Sequence, residues 1–183
     1  MKKESIKAHL AQYSIVRKRK TTIHHAFASA IAPVDVYDEE KLRTALGLLG
    51  QDADDLKCVY CGGPAHTWDH LVGMVEKSEL RGYGHQLGNL MPCCRTCNSR
   101  KGATQWEAYL KRIDESNYER KRALIAQYLA QNAVEFDLKR AEQEHPEDWK
   151  RYIEIREQIL KLMDDADRIA DRLRRPPDGR PRA

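Results

Sequence analysis

Long apolar runs are missing from this sequence. None approaches the ~20 residues that cross a bilayer, so no membrane partner is expected. The start, MKKESIKAHLAQY, is basic but lacks an apolar stretch behind the charges, so no secretory leader is expected either. Phenylalanine is nearly absent, at two of 183 residues, and a hydrophobic content of 41% allows only a modest core. No recognition helix or specificity domain is apparent. Neither sign of charge dominates: 33% of residues are charged and the net is +4. That combination describes one domain of ordinary size, or a small domain with helical additions.

Cysteine is also scarce, with five residues that all fall between Cys58 and Cys97. Cys58-x-x-Cys61 and Cys94-x-x-Cys97 are each spaced so that two thiolates share one tetrahedral ion. Together they describe a closed structural Zn2+ site. Cys93 adjoins Cys94 and is expected to be a spare thiol, though a swap of the two stays open. Thiolates kept free for metal imply a reducing interior, and a cytoplasmic location is expected.

The 32 residues between the knuckles exceed ordinary ribbon spacing. They carry Asp69-His70, His85 and Asn89, and Asn98 follows the last cysteine. The spacing therefore suggests a clamp around a second site. Positive charge gathers here: residues 58–112 hold 7 basic and 4 acidic side chains, whereas residues 113–175 hold 13 and 15. The Arg17–Lys20 cluster adds to the positive excess, and a polyanion such as nucleic acid suits that distribution.

Residues 5–16 have helical periodicity, and Thr21-Thr22 is expected to cap a second helix that Pro33 stops. The pair His24-His25 points two ways on a helix and reads as packing. Asp38 caps a third helix, EEKLRTALGLLG. Residues 65–72 and 85–91 read as strands, with a loop over 73–84 and a short helix from about Cys94. Thr104-x-x-Glu107 reads as a capping box for the next helix. Trp68 and Trp106 are expected in the core. Residues 117–144 are helical, and Pro146 opens a last helix. In that helix Tyr152, Ile155, Ile159, Leu162, Ala166, Ile169 and Leu173 recur by threes and fours, which suits either a homodimer arm or packing on 117–144. The tail PPDGRPRA is expected to be disordered. The expected division is an N-terminal helical extension (1–57), a central module (58–112), a C-terminal helical region (113–175) and a tail (176–183).

Asp69-His70, Gly88-Asn89-Leu90 and Cys94-Arg-Thr-Cys97-Asn98-Ser-Arg-Lys101-Gly102 together resemble an HNH endonuclease of the four-cysteine variety, over about 45 residues. The resemblance implies an α+β fold, a ββα-metal core clamped by zinc and flanked by helices. It implies hydrolysis of DNA, most readily double-stranded, with His70 as general base. Asp69 and Asn98 would hold a hard cation, Mg2+ or Mn2+, and Asn89 would orient the base. Gly73-Met74 stands where many relatives have Pro, which leaves the subclass open. His85 is left as a phosphate contact, a polarising group or a packing residue. Arg81, Arg95, Arg100 and Lys101 are candidates for backbone phosphates. Two rivals remain at this point: a zinc-clamped module that binds nucleic acid without cutting it, and an RNA-directed nuclease.

Overall fold

The computed structural model describes residues 6–175; the tail 176–183 lies outside them. The chain forms two compact units. One is Ala28–Arg140, and the other joins the residues up to Phe27 with those from Ala141 onward. Helices and two small antiparallel sheets make this an α+β protein.

The central unit is built around a β-β-α arrangement. Strand β1 (Thr67–His70) pairs antiparallel with a partner at Leu90–Cys93, with Asp69 opposite Met91 and His70 opposite Leu90. Between them lies a hairpin of β2 (Val75–Glu76) and β3 (Glu79–Leu80), within the stretch expected to be loop. Its turn residues, Lys77 and Ser78, both take positive φ, which matches the right-handed twist of the flanking strands. Residues 85–91 do not form one continuous strand. A 3-10 turn occupies Leu87–Asn89, and the strand Leu90–Cys93, here β4, runs through Pro92. Helix α4 (Arg95–Lys101) follows directly, with Cys94 as its cap.

Three further helices complete this unit: α3 (Glu39–Leu48), α5 (Trp106–Ile113) and α6 (Tyr118–Asn132). Asp38 caps α3 by accepting from the Lys41 amide, as its sequence implies. Helix α5 starts one residue later than the capping box predicts, and Gln105 caps it without a side-chain bond. The core joins Tyr60, Leu71, Met91, Trp106, Leu110 and Tyr128, all buried. Full burial of an aliphatic side chain such as Leu71, Met91 or Leu110 is worth roughly 1.5–3 kcal/mol. The T-shaped contact of Tyr60 with Tyr109 (5.0 Å) ties the first knuckle to α5.

In the other unit the expected helix 5–16 is broken. A short α1 (Ile6–Leu10) ends early, and α2 (Ile15–Ile31) carries the basic cluster within its first turns. Helix α7 (Leu138–Glu144), which like α2 crosses the boundary, precedes α8 (Pro146–Arg174). The antiparallel partner of α8 in this unit is α2. The Tyr152 hydroxyl donates to Phe27 O (2.8 Å), and Asp167 meets the start of α2 at Ile15 and Val16. His24 is buried and His25 exposed, so the adjacent histidines do point apart.

Candidate active site and zinc clamp

The four sulfurs of Cys58, Cys61, Cys94 and Cys97 all lie within 4.8 Å of one another. Thiolates at ~2.3 Å from a tetrahedral ion stand about 3.8 Å apart, and the Cys61–Cys94 separation is 3.8 Å. This donor set fits Zn2+. Backbone bonds bring the knuckles together: Val59 N donates to Pro92 O (3.1 Å), and Gly62 N to Cys58 O (2.8 Å). Cys93 stands outside the four. Its thiol lies 3.9 Å from Cys58 and donates to Cys94 O (3.3 Å). The contact with the Cys93 thiol pulls the Cys58 thiol down to about 4, and the same contact pushes Cys93 well up.

Alternation along β1 separates the Asp69 and His70 side chains. Asp69 turns into the core, where Oδ2 accepts from the Tyr60 hydroxyl (2.8 Å) and Oδ1 from Lys101 Nζ (3.1 Å). Burial pushes its carboxyl up, and Lys101 and Tyr60 pull against that rise. Lys101, a candidate for phosphate, therefore points inward. It is 5% exposed, and its ammonium also donates to His70 O (2.9 Å), tying α4 to β1.

The opposite face of β1 carries His70 and Trp68. Trp68 is 39% exposed rather than in the core, because it shares the strand face of His70 and not that of Asp69. His70 Nε2 lies 3.2 Å from His85 Nδ1, with the rings inclined at 66°. One proton fits between these nitrogens. When His70 donates it, its Nδ1 is the nitrogen that carries the lone pair.

Asn89, fully buried, braces both histidines through the backbone. Its Oδ1 accepts from Val72 N (2.8 Å), and its Nδ2 donates to Val72 O (3.1 Å) and Gly84 O (3.0 Å). Val72 stands two residues after His70, and Gly84 stands just before His85. Asn98 lies on α4 and donates to Trp68 O (3.4 Å). The oxygens of Asp69 and Asn98 are hard donors of the kind Mg2+ takes, and each carboxylate oxygen keeps a second lone pair. Such an ion would share Asp69 with the Lys101 ammonium or displace it. Arg81 pairs with Glu76 (2.6 Å) and, with Lys77, Lys101 and Thr104, lines a cavity of ≈ 300 Å3. Arg95 and Arg100 are exposed on α4.

Residues 58–104 match the HNH endonuclease family. Beyond that match, the chain resembles no curated protein and no solved structure. The HNH segment contains the whole zinc clamp, both histidines and both asparagines, and supports a nuclease-type function. Its surroundings were harder to anticipate. Sequence patterns did not point to Tyr60 as a partner of Asp69, or to Asp35 beside His85. The glycines at 82, 84 and 88 were the available signal, because glycine often marks close backbone approach.

Proposed function

We propose that this protein is a metal-dependent endonuclease that hydrolyses phosphodiester bonds of double-stranded DNA in a reducing compartment. The observation that carries the reading is the ring pair His70–His85 on the open face of β1, braced by Asn89 and backed by the zinc clamp. His70 Nδ1 takes a proton from water, and the water oxygen attacks phosphorus as the bond to the 3′-oxygen breaks. His85 accepts from His70 Nε2, holding the productive tautomer and supporting the imidazolium that forms. Asp69 and Asn98 would hold a hard divalent cation, Mg2+ or Mn2+, once Lys101 gives up its place on Asp69, and the ion would supply charge neutralisation for the reaction. Arg81, Arg95 and Arg100 are assigned to flanking phosphates, which gives salt-dependent affinity.

The test is plasmid and RNA cleavage with Mg2+ or Mn2+, comparing wild type with His70→Ala. A positioned general base contributes roughly 10²–10⁴-fold, so cleavage falls by about that factor while DNA affinity at fixed salt holds. Asn98→Ala loses activity through the cation, and added Mn2+ restores part of it, whereas His70→Ala does not respond. Equal nicking by wild type and His70→Ala would remove His70 as the base, and no cleavage by either would leave a zinc-clamped binding module as the better account. Cleavage of RNA alone would move the substrate and keep the chemistry.

A further inference from the structure

The second histidine of the site is held from outside the HNH segment. Residues 82–88, Gly-Tyr-Gly-His-Gln-Leu-Gly, run between two other stretches of the central unit. A Cβ at Gly84 would lie 2.1 Å from Pro33 O, and one at Gly88 2.6 Å from Ala133 N. A Cβ at Gly82 would lie 2.4 Å from Phe136 O. On the far wall Phe136 N donates to Gly82 O (2.8 Å), and the Gln86 amide, oriented to pair with Val134, donates to Val134 O (2.9 Å).

The near wall is more specific. Val34 forms a parallel bridge with His85, and Asp35 N donates to His85 O (3.1 Å). The Asp35 carboxylate accepts from Leu87 N (2.8 Å), the first amide of the 3-10 turn. Gln86, which precedes that turn, provides no side-chain cap, so Asp35 supplies it from 52 residues away. A single residue thus binds the carbonyl of His85 and the amide two positions on. Those two bonds fix the backbone from which the His85 ring reaches His70.

We propose that Asp35 is a positioning residue for the His70–His85 pair, which makes the segment between α2 and α3 part of the active site. The proposal rests on the nuclease reading, and it concerns orientation alone: Asp35 touches neither substrate nor reacting atoms. Asp35 is exposed, so removing its carboxylate leaves the core and the zinc clamp untouched. A misplacement of about 1 Å at a reacting group can lower a rate by about 10²-fold.

Cleavage of a defined duplex by Asp35→Ala is expected to show kcat lowered about 10- to 100-fold, with KM and zinc content unchanged and thermal unfolding lowered by no more than the loss of one cap. Asp35→Asn keeps an oxygen that accepts from Leu87 N and is expected to recover most of the rate. Added to His85→Ala, Asp35→Ala is expected to cost little more, since both act through one ring. Histidine ring 1H–15N spectra read the same positioning without catalysis: in Asp35→Ala the His70 and His85 resonances move together. A kcat within about twofold of wild type, or unchanged ring resonances, overturns the proposal. Ring resonances that move in a protein whose wild type cuts no nucleic acid leave the positioning standing and refute the nuclease reading.

Discussion

Cys93 and Cys94 are identical in chemistry and adjacent in sequence, yet only Cys94 belongs to the four-cysteine cluster. Cys93 ends β4 opposite Thr67 with its side chain buried, whereas Cys94 has turned to cap α4 and its sulfur accepts from Cys97 N (3.3 Å). Extended backbone sends successive side chains to opposite faces, so the two thiols cannot both face the ion. Cys58→Ser is expected to lose zinc and unfold the module, because structural zinc supplies folding free energy directly. Cys93→Ser is expected to retain one equivalent of zinc by elemental analysis; less than half an equivalent would exchange the roles of the two cysteines. Lys101 illustrates the same point about direction. Its position suited a phosphate contact, and the turn of α4 that carries it instead faces Asp69 and the His70 carbonyl.

At the level of elements, two departures from the sequence pattern, at α2 and α5, occur at helix starts. The first turn of α2 lies at Ile15 because Ser14 Oγ accepts from Arg17 N (3.1 Å) and the Asp167 carboxylate accepts from Ile15 N (2.7 Å) and Val16 N (3.1 Å). Thr21-Thr22, the expected cap, therefore falls mid-helix. The Ile15 amide, followed by the other donors, holds Asp167 below its usual carboxylate range. A depressed pKa contributes stability that is present above the unfolded value, about 3.9, and is lost as pH falls through the folded value. Circular dichroism is expected to show α2 fraying below about pH 4 and Asp167→Ala melting at lower temperature at neutral pH. Equal melting of the variant and wild type at neutral pH would mean that Ser14 alone starts the helix. The β2–β3 hairpin was missed because its turn, Lys77-Ser78, lacks the Asn-Gly signal that usually marks positive φ at both positions.

For the molecule as a whole, the sharpest unanswered feature is the apolar row on α8. Ile155, Leu162 and Ile169 recur every seven residues and are exposed, as is Leu173. Seven-residue spacing is the pattern of a coiled-coil seam, and two copies joined there would bring two active sites to one duplex. Light scattering at tens of micromolar is expected to give a dimer, and Leu162→Glu a monomer. A wild-type monomer with and without DNA would assign the row to another role. No helix among the described residues is long and apolar enough to cross a membrane.

What the sequence determined by itself was local or set by spacing: two thiolate knuckles, the Asp69-His70 pair, the Asp38 cap, and the long periodic helix after Pro146. Such features depend on ligand geometry or on neighbours a turn apart, so a linear pattern carries them. Only the tertiary structure decided which cysteine joins the four-sulfur cluster, that Trp68 is open and Lys101 enclosed, and that His85 stands against His70. It also supplied Asp35 to His85 and Asp167 to α2. These depend on side-chain direction and on hydrogen bonds between residues 15 to 152 positions apart, and no pattern along the chain encodes those before the core has packed.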